Sequence, residues 1–368
     1  MTEKPPPEKT NRASSLPPGV MEAAVKMMAN ARRRQEWPLH YGAILPSATF
    51  DHPGGMRLVS AGNQIFEIPM EQTWYGFLYN FLAEQIGSDW FADEIAKPKG
   101  SRHILADWYL EACRREADEN GYFTGHDPEN EIGTTLAFRS VAYDMFCMMQ
   151  AMNLSPKLLA RLRHPDQFEG ARYELWVAAS LARAGFAIEF SDEDNRASKH
   201  GEGIATHTAT GKKYWIEAKR KHRPGFDYLR AAFEGWFIKV DAKLVAAAML
   251  KPAEQDRLIF IDVNRPPWRK TDIDAPWISA FRKSLNLLEQ QARYRDHSDQ
   301  RAFVMVTNHP YHYVSNIRPD PRHHFFGAPF NMPELDPAAI EKDYPVIFAL
   351  AQSISQHFSI PDTFLENP

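Results

Sequence analysis

Two hydrophobic periods divide the chain. From residue 20 to about 155 the period is helical. In TWYGFLYNFLAEQIG, Thr73–Gly87, apolar side chains recur at Trp74, Phe77, Leu78, Phe81 and Leu82. That three-or-four spacing predicts a helix with one apolar stripe. Met21–Trp37, His103–Gly121 and Thr134–Met152 repeat the pattern or share its composition. Their aromatic and Met stripes are expected to face a core. Two short segments, AILPSATF and QIFEIPM, fit strands or loops equally well.

Beyond residue 155 the period changes. Gly170–Gly185 reads as a helix with a glycine stop, and Phe186–Phe190 alternates as a strand does. SDEDNRASKHGEG is a polar loop. GIATHTATGKKYWIEAKRK predicts two strands around a turn, with Gly211 near its tip. GFDYLRAAFEGWFIKVDAKLVAAAML reads as helix. Arg257–Asn264 and Ala302–Asn308 are near-continuous apolar runs, the mark of strands buried on both faces, and an amphipathic helix lies between them from Pro276. The segment from His309 to Pro329, rich in His and Pro, reads as loop. The order α-β-β-β-α-β-α-β predicts an α/β fold: a mixed sheet that starts as a meander and continues through crossovers, with helices on both faces. Three parts are expected: a disordered Pro-rich tail (1–19), a mostly helical domain (20–155), and an α/β domain with a loop-rich C-terminal extension (156–368).

Composition narrows the class. The chain has 368 residues, 44% hydrophobic and 24% charged, ordinary for a globular protein. Its longest apolar run, LVAAAML, falls far short of the roughly 20 residues that cross a bilayer. The opening MTEKPPPEKTNRASSLPPG lacks the apolar centre of a signal peptide. Cys113 and Cys147 are the only cysteines, too few for a disulfide framework. A cytoplasmic protein that makes no use of membranes is the expectation. Net charge is −4, but between Arg161 and Gln300 there are 24 Lys and Arg against 20 Asp and Glu. From Lys212 to Arg230 the ratio is seven to two. A local basic strip can hold a polyanion on an acidic protein, because screening weights the nearest charges; a solvated face is the plainer explanation of such a strip.

The candidate chemistry lies in YWIEAKRKHR, Tyr214–Arg223. On a strand, residues two apart face one way, so Glu217 and Lys219 project together and Ile216 and Ala218 face the other side. By itself the pattern is weak: Asp241 and Lys243 repeat it inside a predicted helix. Its context is more specific. A helix precedes it with Glu174 eleven residues before Gly185, and an acid, Glu202, lies near the start of the strand before it.

In these residues the stretch from about Phe168 to Asn308 resembles the PD-(D/E)XK nuclease superfamily, with its restriction-endonuclease-like fold. The resemblance implies a metal-dependent endonuclease that hydrolyses nucleic-acid phosphodiester bonds. It implies Glu174, Glu202, Glu217 and Lys219 as the catalytic set. Mg²⁺, with Mn²⁺ as a substitute, would be held by Glu202, Glu217 and the Ala218 carbonyl. Lys219 would orient the attacking water, and Lys213, Arg220, Lys221 and Arg223 would grip the backbone. Glu202 departs from the family's usual Asp, and Asp192 and Asp194 are looser candidates for that position. DNA is expected ahead of RNA, with a homodimer as one way to cut both strands. The alternative is an inactive module of the same fold that binds nucleic acid or a protein. His309 and His312, with His323 and His324, suit zinc by type, but no Cys or acid accompanies them at ligand spacing. Loop histidines are the expectation; lining of the cleft is the other role open to them. Walker, Rossmann and G-x-S-x-G signatures are absent, which disfavours ATPase, dehydrogenase and serine-hydrolase chemistry.

Overall fold

The computed structural model describes residues 18–52, 54–118, 123, 132–152, 154–190, 203–220, 243–249, 255–264, 276–291, 301–309, 325–332, 335–336 and 339–364. The four expected helices form, with a further short one, α3, between the second and third. They are α1 (Pro18–Tyr41), α2 (Trp74–Ile86), α3 (Ser88–Ala96), α4 (Ile104–Glu116) and α5 (Gly133–Ala151). Trp74, Phe77, Leu78, Phe81 and Leu82 of α2 are all buried, and each such side chain contributes roughly 1.5–3 kcal/mol of burial. Thr73 caps the helix, its hydroxyl accepting from the Gly76 N–H at 3.1 Å. Of the two ambiguous segments, QIFEIPM supplies β3 (Gln64–Pro69) and the end of AILPSATF enters β1 (Thr49–His52); with β2 (Met56–Ala61), which was not expected, they form a small antiparallel sheet.

Next come α6 (Pro156–Arg163) and α7 (Pro165–Arg183). Helix α7 starts with Pro at its first turn, which wastes no N–H. It stops before Gly185, whose φ of 82° suits the left-handed turn. Strands β4 (Phe186–Phe190), β5 (Gly203–His207) and β6 (Lys213–Arg220) form the meander. Gly211, at φ 70°, donates its N–H to the His207 carbonyl in the β5–β6 turn. Then follow α8 (Lys243–Met249), β7 (Arg257–Asp262), α9 (Pro276–Glu289), β8 (Ala302–Thr307) and β9 (Phe325–Phe330). The chain ends in α10 (Ile340–Asp343) and α11 (Pro345–Gln356).

Among the described residues the large sheet has six strands, in the order β4-β5-β6-β7-β8-β9. Pairs within the meander are antiparallel, β6-β7 and β7-β8 are parallel, and β8-β9 is antiparallel. Every residue of β7 and β8 is buried, as their apolar runs predict. Strand β9 corrects the loop expected there. Pro329 is tolerated because β9 is an edge strand, where a missing N–H breaks no inner ladder. Helix α11 likewise corrects the loop-rich ending expected for the chain.

The faces of this sheet differ. On one, Ile216, Ala218, Leu258, Phe260, Phe303 and Met305 pack with α7 and with α2–α5 in one continuous core. That core runs through the boundary expected near residue 155. On the other, Ile259, Ile261, Val304 and Val306 pack against α8 and α9. Among the described residues, no helix is long and apolar enough to cross a membrane.

Candidate functional site

Strand β6 is rich in Tyr, Trp and Ile, which suit a pleated, half-buried surface. Its alternation sorts the candidate residues onto two faces. Parallel partners share a face, and the register sets Glu217 beside Ile259 and Lys219 beside Ile261. Both therefore lie on the α8/α9 face. Ala218 and Arg220 stand beside Phe260 and Asp262 on the α7 face.

Glu217 and Lys219 form an ion pair. The Glu217 side chain is 1% exposed and that of Lys219 is 28% exposed. The pair is thus a sunken carboxylate under a cation that reaches solvent. The described β5–β6 pairing ends at Gly203↔Ile216, so the pair begins just beyond the last β5 partner. There β6 continues beside its parallel neighbour β7.

The rest of the expected set is not gathered here. Glu174 lies on α7, across the sheet from Lys219, and Arg161 of α6 grips it through two hydrogen bonds of 2.5 and 2.6 Å. Spacing along a helix does not say which face of a sheet the helix will cover. Arg220 is not a surface grip for phosphate. Its side chain is 3% exposed, held 3.3 Å from Asp262 and 3.7 Å from Glu169. Lys213 is exposed at the opposite end of β6, roughly 20 Å from Lys219 at strand rise. Glu202, Lys221 and Arg223 lie outside the described residues, as do Asp192, Asp194, His312, His323 and His324.

The Mg²⁺ expectation can be tested on the oxygens present. Glu217 offers one carboxylate and Ala218 one carbonyl. Among the described residues no three His, Cys, Asp or Glu side chains cluster as metal ligands. Hard oxygen donors suit Mg²⁺, which often takes one or two carboxylates and completes its shell with substrate phosphates and waters. The donor type fits. The number suffices only with substrate phosphate or a second carboxylate such as Glu202.

A second polar cluster, unforeseen from the sequence, occupies the α7 face at the carboxyl ends of the parallel strands. Asp262 ends β7 fully buried. Its Oδ1 accepts from the His309 backbone N–H at 3.1 Å and lies 3.3 Å from His309 Nδ1. Burial would raise the Asp262 carboxyl, but Arg220 and His309 outweigh it and hold it well below the usual carboxylate range. Burial pushes the His309 imidazole down, against the pull of Asp262. Arg220 also donates to Asn264 Oδ1 at 3.1 Å, and the Tyr173 and Thr307 hydroxyls meet at 2.9 Å. The signal was present: RLIFID and AFVMVT each end an apolar run on a polar residue of the core-facing parity. His309 packs edge-on against Trp176, ring centroids 4.6 Å apart, and so is a core residue of this cluster.

Comparison with protein-family models, curated proteins and solved structures found no match to this chain.

Proposed function

We propose that the chain is a metal-dependent nuclease of restriction-endonuclease-like fold that hydrolyses nucleic-acid phosphodiester bonds around Glu217 and Lys219. One observation carries the reading. A sunken carboxylate and a solvent-reaching lysine share one face of the strand that joins an antiparallel meander to a parallel pair. The helix–meander–helix–strand succession from α7 to β7 supports the same fold.

In this reading Lys219 does two things. Its ammonium compensates Glu217 inside the protein, and it faces an incoming phosphate, whose developing negative charge it offsets. Glu217 supplies the buried oxygen ligand, and Glu202 the second carboxylate. A bound Mg²⁺ would polarise the phosphate and acidify a water. Glu174 and Arg220 take no part, because the sheet separates them from the pair. DNA stands ahead of RNA as substrate, with phosphates gripped from the segment that holds Lys221 and Arg223.

A second reading has one specific support. With Glu174 committed to Arg161, the described residues bring only one carboxylate to the site, as in a module that binds nucleic acid without cutting it. Labelled duplex DNA, single-stranded DNA and RNA, each incubated with Mg²⁺, Mn²⁺ or chelator, separate the two. The nuclease predicts metal-dependent cleavage that Lys219→Ala removes while retention of the nucleic acid persists. Salt-sensitive retention without cleavage in either metal would establish the binding module. Neither cleavage nor retention would eliminate both.

A further inference from the structure

Behind the Asp262–His309 cluster lies a cavity of about 70 Å³, room for a few waters or one small ligand group. It is enclosed by α5, α7, α11 and the residues that follow β8. Phe358, 38% exposed, belongs to its rim. Its position, beyond the carboxyl end of a parallel strand, is where open α/β sheets commonly take ligands.

The lining is polar and cationic. Arg172 and Arg183 both border the cavity, and Asp144 is the one acid among the described bordering residues. Asp144 is already committed: it accepts from Arg183 Nη1 at 2.9 Å. Arg183 Nη2 also donates to the Ser180 hydroxyl at 3.2 Å. Asn308, His309 and His357 add polar groups to the wall. Burial pushes both imidazoles down. His357 Nδ1 is in turn occupied by the Ser353 hydroxyl at 2.7 Å.

A second observation is independent of the charge. Tyr143 borders the same cavity, and its hydroxyl is buried without a hydrogen bond of good geometry. Its polar neighbour is the Cys147 thiol, a weak acceptor. A buried hydroxyl in that state is destabilising unless a ligand or water satisfies it.

We infer that this cavity binds a tetrahedral oxyanion, free phosphate or the phosphate of a monoester. Arg172 and Arg183 supply charge-assisted donors, and the Tyr143 hydroxyl adds a neutral one. A metal cation is disfavoured by the same lining, whose described residues put two guanidiniums against one carboxylate. The site lies on the face of the sheet opposite Lys219, so it is separate from the proposed hydrolytic centre and does not depend on it.

The test uses the full chain. Inorganic phosphate and thymidine 5′-monophosphate are titrated by calorimetry and by thermal unfolding, against sodium chloride at matched ionic strength. Phosphate should raise the unfolding midpoint where chloride does not. Arg172→Gln should weaken phosphate binding tenfold or more, and Lys99→Ala, at an exposed position between α3 and α4, should leave it unchanged. If Arg172→Gln fails to fold, the near-isosteric Tyr143→Phe decides, with an expected loss of about fivefold. Equal affinity for the nucleotide would identify a phosphomonoester as ligand; preference for the free ion would identify phosphate itself. Absence of a phosphate-specific shift, or unaltered affinity in the folded variants that alter the wall, would overturn the inference.

Discussion

Replacing Lys219 with methionine tests whether Glu217 is a buried charge that depends on a neighbouring cation. The wild-type carboxylate is 1% exposed and its ammonium partner 28% exposed. Removing one member of a fully buried pair costs about 3–5 kcal/mol, because the other charge is left uncompensated. Lys219 reaches solvent, so its own desolvation and part of its attraction are screened; roughly 2–3 kcal/mol is the expected loss. Glu217→Gln removes the charge and keeps the shape, and should be neutral or stabilising. The double variant should recover most of what Lys219→Met loses, giving a coupling in the range contacting residues show. Urea unfolding followed by tryptophan fluorescence measures all three from midpoint and slope. Millimolar Mg²⁺ adds a further arm. If Glu217 can ligate a metal, the ion should restore more stability to Lys219→Met than it adds to the wild type. A loss below about 0.5 kcal/mol in Lys219→Met, the size of an ordinary surface change, would refute the reasoning. Glu217 would then be solvated or satisfied by other groups, and its burial would say nothing about a reactive centre.

Two further outcomes follow from the α7 side of the molecule. Asp262→Asn removes the carboxylate that Arg220 and His309 share, leaving the Arg220 guanidinium with Glu169 3.7 Å away as its other acid. Chemical denaturation should show a loss of about 3–5 kcal/mol, and a loss under about 1 kcal/mol would mean that Glu169 alone suffices to hold the buried Arg220 charge. His103, buried at the start of α4, has its pKa lowered to about 4, chiefly by burial. The unfolded chain then binds a proton near pH 6.5 that the native state refuses, so stability falls as pH drops from about 6.5 to about 4. At roughly 1.4 kcal/mol per pH unit that interval amounts to about 3 kcal/mol at most. His103→Asn keeps a side chain able to cap the Leu105 N–H. It should flatten the stability–pH curve in that window, and an unchanged slope would show that other groups set it.

Local signals survived folding well. The α2 stripe, the Gly185 stop, the Gly211 turn and the two apolar strands were legible because each depends on a few neighbouring residues. Strand β9 was hidden by Gly327 and Pro329, which lower strand propensity and are accommodated only because tertiary pairing places the segment at an edge. Helix α11 carried a readable signal, Pro345 followed by the amphipathic VIFALAQSISQ, which the expectation of a loop-rich ending passed over. At the site, the meeting of Glu217 and Lys219 was legible for the same local reason, a period of two. That rule also assigns Arg220 to the opposite face. Treating Arg220 with Lys221 and Arg223 as one basic run obscured it, since a charge run has no face.

Glu174 fails for a different reason, and the difference bears on function. Its place on α7 and its distance from Gly185 are local facts, whereas the face of the sheet that α7 covers is decided by packing. Ile216, Ala218, Leu258 and Phe260 turn toward α7, and that choice necessarily turns Glu217 and Lys219 away from it. A carboxylate on α7 can join the pair only by passing an end of the sheet, and Arg161 holds Glu174 against α6 instead. The chain therefore separates two kinds of polar chemistry by one layer of strands. The α7 face carries a buried cluster in which Asp262 offsets Arg220 and accepts from His309. On the α8/α9 face Glu217 is nearly as deeply buried, yet its cation reaches solvent. A polyanion can approach that cation without opening the core, whereas it could reach Arg220 only by dismantling the cluster that ties together the ends of β6, β7 and β8. It is this asymmetry of access, more than the count of charges, that supports Lys219 over Arg220 as the cation facing phosphate in the proposed function.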